Sequence, residues 1–150
     1  MSATDLKIVT TIQEAMMDSI KQIIPLQTVK VDSKTGSKEI TLKFAVLVGL
    51  TGEIKGKILY KGEVSLFSSV GSMMFGMEIE GDMLKSFAGE LGNMISGGFC
   101  TNVSANGITI DITSPTILDG NSKISGFKEA VELDVLFQNN GTLNVAVMID

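Results

Sequence analysis

The chain has 150 residues, 44% of them hydrophobic, and a formal charge of −5 with twelve lysines, no arginine and no histidine. The acidic balance disfavours nucleic acid as a partner, because nucleic acid binding needs clustered cationic side chains. The missing residue types exclude an arginine finger, a Ser-His-Asp triad and a histidine-ligated metal site. Cys100 is the only cysteine, so no intrachain disulfide can form. With no signal peptide and no apolar run of 18 residues, we expect one cytoplasmic domain spanning residues 1–150, without membrane contact.

The first half of the chain predicts one helix and three strands. A helix over residues 5–24 ends at Pro25. Strands over 28–33 and 39–48 are joined by a turn at 34–36, and a turn at 49–52 leads to a third strand over 53–60. The apolar positions of the helix recur at helical spacing: Leu6, Val9, Ile12, Met16, Ile20, Ile23 and Ile24.

The second half predicts two helices and three strands. A helix over 63–76 ends at a C-cap glycine, Gly76, and presents an apolar stripe. An acidic connection over 78–81 leads to a helix over 82–103 with Asp82 as its N-cap. A strand over 107–113 stops at Ser114-Pro115, and a loop covers 116–126. Strands over 128–138 and 142–149 form a hairpin around 139–141. The stripe of the first of these helices consists of Leu66, Phe67, Val70, Met73, Met74 and Met77.

The helix over 82–103 carries a polar stripe on a different side from its broad apolar face. Spacings of four, three and four residues return to one side of a helix, so Ser86, Glu90, Asn93 and Gly97 point the same way. Glycine costs about 1 kcal/mol in a helix interior relative to alanine. Three glycines beside this stripe therefore suggest that another backbone or another protein approaches closely. These glycines are Gly89, Gly92 and Gly97, and the apolar face is Met83, Phe87, Leu91, Met94 and Ile95.

The order α-β-β-β-α-α-β-β-β predicts an α+β fold, with a single antiparallel or mixed sheet of about six strands and three helices packed on one face. In each half helical segments precede the strands and one helix contains a glutamate, Glu14 or Glu90, which hints at an internal duplication. The first helix has Met17 where the second has Asn93, so the repeat is incomplete.

A plainer interpretation is open for each polar group. Glu90 and Asn93 could be no more than the solvated face of an amphipathic helix. Cys100 has no cationic neighbour in the sequence, and a buried structural thiol is the expected role. Glu80 and Asp82 are scattered acids without histidine, and such acids are usually solvated rather than metal-bound.

The pattern Ser86-x-x-x-Glu90-x-x-Asn93, with Pro115 twenty-two positions beyond Asn93, resembles the signature of the CheC/CheX/FliY family of chemotaxis phosphatases. The neighbouring ELGNMISG, the N-terminal helix, the closing hairpin and the length extend the resemblance over nearly the whole chain. CheC-type members carry two motifs. The single complete motif here is what a CheX-like member would show.

The resemblance implies hydrolysis of the aspartyl phosphate on a CheY-type response-regulator receiver. Asn93 would orient the attacking water and Glu90 would pair with a receiver lysine, with Ser86, Gly89, Gly97 and Pro115 at the partner contact. The chain would need no cofactor of its own, because Mg²⁺ would belong to the receiver. The resemblance to CheX-like proteins also implies a homodimer.

Two other classes of function are open. The same fold could be a non-catalytic module that binds a receiver or a flagellar-switch partner. A purely structural oligomerisation domain is the third possibility, and it would leave the polar stripe unexplained.

Overall fold

The computed structural model describes residues 3–150, with side chains described from Leu6 onward. Three helices and seven strands follow one another in an order that matches the predicted one, with one further strand near the C-terminus. The elements are α1 (Ala3–Ile23), β1 (Thr28–Thr35), β2 (Glu39–Gly52), β3 (Gly56–Lys61), α2 (Val64–Phe75), α3 (Gly81–Ser104), β4 (Ile110–Ile112), β5 (Thr116–Ser125), β6 (Glu129–Phe137) and β7 (Gly141–Ile149).

The strands form one curled, wholly antiparallel sheet. Its order is β1-β6-β7-β3-β2-β4, and β5 pairs with β2 as well. The predicted hairpin of β6 and β7 is confirmed, with Phe137 opposite Gly141 across the turn and Asn139 at a φ of 63°. Antiparallel pairing suits this sequence because short turns connect most of its strands.

All three helices cover one face of the sheet, as predicted for an α+β fold. The main core lies between them, and its sheet side includes Val131, Leu133 and Val135 of β6, which alternate with residues of the other face. A smaller apolar cluster occupies the opposite face, where the sheet curls over it. The members of this smaller cluster are Ile40, Leu42, Ala45, Leu59, Ala130, Ala146 and Met148.

The turn predicted at 34–36 does not make β1 and β2 a hairpin. β1 pairs with β6 instead, from Thr28 opposite Phe137 to Thr35 opposite Val131. Its side chains are almost all exposed, which suits a strand at the edge of the sheet. The turn predicted at 49–52 is also wrong, since β2 continues to Gly52 and the chain reverses at 53–55.

The segment 116–126 is a strand, β5, and not the predicted loop. Its partner is β2, in a register that runs from Glu39 opposite Ser125 to Leu47 opposite Thr116. The pairing register shifts between Leu42, opposite Ser122, and Phe44, opposite Asp119, so β5 has an extra residue at this point. Glycine and polar residues are tolerated here because the backbone hydrogen bonds come from β2. The strand predicted over 107–113 is shorter, at Ile110–Ile112.

Several helix details differ from the predicted ones. Glu80 is the N-cap of α3, without a side-chain bond, so Asp82 is not. Leu84, and not Met83, faces the core, because one residue of rotation moves a side chain by about 100°. Gly76 is the C-cap of α2 as predicted, at a φ of 69°. Four other residues assigned to the apolar stripes of the helices are exposed: Leu6, Met73, Met74 and Met77.

Over the part of the chain that the structure describes, none of the helices has the length and apolar character needed to cross a membrane.

Candidate functional site

Helix α3 buries one side against the sheet and leaves the opposite side open to solvent. Its buried residues recur three or four positions apart, so they form a continuous stripe. This stripe fixes the rotation of the helix about its own axis. The buried large apolar side chains are Leu84, Phe87, Leu91, Ile95, Phe99 and Val103.

The fixed rotation brings the four stripe residues to one outer face, as predicted. Ser86 and Glu90 are exposed, while Asn93 and Gly97 are partly exposed. Glu90 and Asn93 lie three residues apart, which is about 4.5 Å along the helix axis. Among the described residues, neither side chain forms a hydrogen bond or an ion pair, so both are free for an external partner.

The turn that carries Glu90 and Asn93 rests directly on the sheet. A Cβ at Gly92 would lie 2.7 Å from Cγ1 of Val46 and 3.5 Å from Cδ2 of Tyr60. Both of these side chains are fully buried. A larger residue at Gly92 would therefore push the helix away from the sheet, and the glycine lets α3 approach closely.

Two buried hydroxyl contacts hold the next turn. The hydroxyls of Tyr60 and Ser96 share a hydrogen bond of 2.7 Å, and the Ser19 hydroxyl of α1 donates to the Ile95 carbonyl at 2.7 Å. Burial raises the pKa of Tyr60 well above its usual range, so its hydroxyl stays protonated. Satisfied polar contacts in a dry core specify one arrangement, because any displacement would leave these groups unpaired.

Helices α1 and α3 pack closely where Gly98 meets Ser19. A Cβ at Gly98 would overlap the Ser19 hydroxyl, so glycine is required for this approach. One turn further along, the Asn102 amide donates to the Ala15 carbonyl at 2.9 Å. Helix α1 therefore supports α3 from the side.

The connection between β4 and β5 borders the stripe on the other side. Pro115 and Ile117 lie beside Gly89, where a Cβ would be 3.8 Å from Cγ of Pro115 and 3.5 Å from Cδ1 of Ile117. Lys85 and Asp119 form an ion pair of 3.2 Å that links α3 to β5. Pro115 is half-buried in this position, next to the outer face of the helix.

The glycines beside the stripe divide into two kinds. Gly89 and Gly92 are buried, and parts of this same chain approach them. Gly97 has no atom within 4 Å of an added Cβ, so nothing within the described chain accounts for a glycine there. At Gly92 a side chain of the sheet approaches closely, whereas at Gly89 an added Cβ would make only ordinary contacts, so neither glycine shows the approach of a second backbone or another protein.

The other chemical groups that the sequence singles out are not assembled into a reactive site. Cys100 is half-buried, and burial, with a smaller contribution from Asp111, raises the pKa of its thiol. A protonated thiol is a weak nucleophile. Glu80 and Asp82 are exposed, and no cluster of three or more acidic or cysteine side chains suited to a metal occurs among the described residues.

Sequence reasoning did not find the contacts that position the helix. Tyr60, Ser96 and Ser19 lie on three different elements, and their pairing depends on the tertiary fold. The only signal in the sequence was the presence of glycines inside a long helix. Gly98 carried that signal for the contact with α1 and was not singled out.

Comparisons with known proteins agree with this architecture. A family model described as "Chemotaxis phosphatase CheX" matches residues 44–131, which include Glu90, Asn93 and Pro115. The protein described as CheY-P phosphatase CheX of Thermotoga maritima is 29% identical over 136 residues, covering 87% of this chain and 88% of the relative.

Solved structures of this family share the fold. A chemotaxis protein CheX from Desulfovibrio desulfuricans has a TM-score of 0.78 at 21% identity, covering 96% of this chain and 99% of that one. A chain from the CheX-CheY-BeF3-Mg²⁺ complex of Borrelia burgdorferi has a TM-score of 0.75 at 23% identity, covering 94% and 96%. The family model matches more than half of this chain, and the chain therefore belongs to the CheX family of chemotaxis phosphatases.

Proposed function

We propose that this chain hydrolyses the aspartyl phosphate of a CheY-type receiver domain. The observation that carries the proposal is the placement of Glu90 and Asn93 on the outer face of one well-supported helix, without partners among the described residues. The chain has no histidine and no reactive cysteine. Two polar side chains on an outer helix face therefore fit a reaction in which the partner supplies most of the reacting groups. The relative in the Borrelia burgdorferi complex is bound to CheY, which supports a partner of this kind.

In the proposed reaction a water molecule attacks the phosphorus atom and the bond from phosphorus to the aspartate oxygen breaks. The aspartate leaves as a carboxylate, and the protons of the water end on phosphate or solvent. The receiver would contribute the phosphoaspartate, a lysine and Mg²⁺, which neutralises charge on the phosphoryl oxygens. This chain would need no cofactor of its own.

The role proposed for Asn93 is to orient the water. A carboxamide can accept a hydrogen bond through its oxygen and donate through its nitrogen, so it can fix a water in line with the bond that breaks. Positioning of this kind lowers the entropy that the reaction must lose at its transition state. Half-burial on a helix restricts the rotamers of Asn93 and favours this use.

The role proposed for Glu90 is to pair with the receiver lysine and so to fix the orientation of the partner. Its exposed carboxylate would form a charge-assisted contact one turn from Asn93. Ser86 and Gly97 extend the contact along the same face, and Gly97 leaves space for the partner's backbone. Gly89 and Pro115 pack against each other at the border of this face, and the proposal includes them in the partner contact for that reason.

The proposal includes one domain and one active site per chain, in a homodimer. Helix α1 presents Glu14 to solvent but has Met17, half-buried, where an amide would be needed. A thioether cannot donate a hydrogen bond and accepts only weakly.

The exposed edge of β1, with Val29 and Val31, offers a surface on which a second copy could pair.

The test is release of phosphate from a phosphorylated CheY-type receiver of the same organism. Asn93→Ala should lower kcat on the order of 10²-fold, as loss of comparable positioning groups does. Glu90→Ala should weaken binding and activity together, and added salt should weaken the wild-type complex. Asn106→Ala removes an exposed amide beyond the end of α3 and serves as the matched control.

A folded Asn93→Ala protein with wild-type turnover would refute the catalytic role. If the wild type and Asn93→Ala both bound the phosphorylated receiver and neither accelerated phosphate release, the chain would be a binding module. Binding by Glu90→Ala as tight as that by the wild type would remove the proposed lysine contact.

A further inference from the structure

Two large apolar side chains lie beside the polar stripe and are mostly uncovered. Met83 is 55% exposed in the first turn of α3, and Phe75 is 62% exposed at the end of α2. The Phe75 ring packs edge-on against Phe87 of α3, with ring centres 5.6 Å apart, and leaves its other side open. We call Met83 and Phe75 the apolar flank.

The apolar flank is continuous with the stripe that carries the site. Met83 precedes Glu90 by seven residues, and seven residues make almost two whole turns, so both side chains project from the same side of α3. Phe87, which supports Phe75, lies between them along the helix. The flank therefore borders the stripe on the side of α2, opposite the border formed by Pro115.

Met83 lies close enough to Glu90 for one partner to cover both residues. The two residues are about 10.5 Å apart along the helix axis, from a rise of about 1.5 Å per residue. Even a small specific interface covers about 600 Å² of each protein, which is a disc of radius about 14 Å. A footprint of that size centred on Glu90 includes Met83.

We propose that the apolar flank is the part of the receiver-docking surface that supplies affinity. This inference rests on the proposed function, because its occupant is the CheY-type receiver that reaches Glu90 and Asn93. The polar stripe alone offers small side chains and one carboxylate, so it contributes a charge-assisted contact but little apolar area. A methionine and a phenylalanine supply apolar area, and the flexible methionine adapts to the opposing surface.

A lysine at Met83 tests the proposal. The probe is the CheY-type receiver of the same organism, activated with beryllofluoride and Mg²⁺ for equilibrium binding and phosphorylated for turnover. Met83→Lys should raise Kd and KM about tenfold or more and leave kcat unchanged, since the variant loses apolar contact area and must desolvate an ammonium group against the partner. Leu6→Lys is the matched control: it also lies in the first part of a helix, and Leu6 is 56% exposed.

The outcomes separate this inference from the proposed function. Binding by Met83→Lys within twofold of wild type would overturn the docking role, as would a loss of kcat at unchanged Kd or an equal effect of Leu6→Lys. A wild-type protein that failed to bind the activated receiver would overturn it as well. If the wild type binds, Met83→Lys binds weakly and neither accelerates phosphate release, the docking surface stands and the phosphatase proposal fails.

Discussion

Replacing Gly98 with alanine tests whether the close packing of α1 on α3 holds the site helix in place. The added Cβ would overlap the buried hydroxyl of Ser19, which already donates to the Ile95 carbonyl. Cβ of Ser19 is 3.3 Å away, so the serine cannot retreat by rotating its hydroxyl alone. The added methyl group therefore strains the helix contact and also breaks the buried hydrogen bond.

The size of the effect follows from three contributions. Overpacking a core costs about 1–3 kcal/mol, and loss of the hydrogen bond costs about 1 kcal/mol. Alanine gains about 1 kcal/mol over glycine in a helix. The net loss for Gly98→Ala is therefore about 1–3 kcal/mol. Gly97→Ala, next to it, meets nothing within 4 Å and should gain up to about 1 kcal/mol.

Urea unfolding and thermal melting measure this contrast directly. For a chain of this length, each kcal/mol shifts Tm by about 2–4 °C, so the two neighbouring variants should differ by several degrees in opposite directions. The double variant Ser19→Ala/Gly98→Ala should recover part of the loss, because the overlapping oxygen is gone. If Gly98→Ala matched Gly97→Ala in stability, the close helix contact would not exist and the positioning argument would be wrong.

The remaining predictions concern the buried hydroxyl pair and the first helix. Tyr60→Phe should cost about 1–3 kcal/mol of unfolding free energy by leaving the Ser96 hydroxyl unpaired, and adding Ser96→Ala should restore much of that stability. Urea melts of the two single variants and the double check this, and strictly additive losses would contradict it. Glu14→Ala should leave phosphate release within about twofold of wild type, because an exposed single charge rarely matters to stability. A loss as large as that of Glu90→Ala, in a folded protein, would mean that α1 also carries a site.

The parts of the fold that local signals determine were predicted well. Helical periodicity and Pro25 defined α1, Gly76 ended α2, and the Asn-Asn-Gly turn placed the final hairpin. The errors arose where a distant strand decided the outcome. Residues 116–126 have the composition of a loop, and only the long strand β2 beside them makes them a strand. The pairing of β1 with β6 could not be predicted from local sequence either, because it joins residues about a hundred positions apart.

The candidate site divides in the same way. The spacing of Glu90 and Asn93 on one helix face is a property of the helix alone, so the sequence predicted it. Met83 was predicted to lie on the apolar face of the helix, but it is exposed at the border of that face, while Leu84 is buried. The buried contacts of Tyr60 and Ser19 required the tertiary fold. Glycines inside α3 do mark close contacts at Gly92 and Gly98, but Gly97 has no such neighbour, and the sequence does not identify the contacting residues.

The rigid seating of α3 has a consequence for the speed and energetics of recognition. A surface carried on a loop must be ordered when its partner arrives, and the lost conformational entropy is subtracted from the binding free energy. Here the backbone of the outer face is already fixed when the chain folds, so only side-chain rotamers remain to be ordered. Association should then proceed by diffusional encounter of preformed surfaces, and differences in affinity among variants should appear mainly in the dissociation rate.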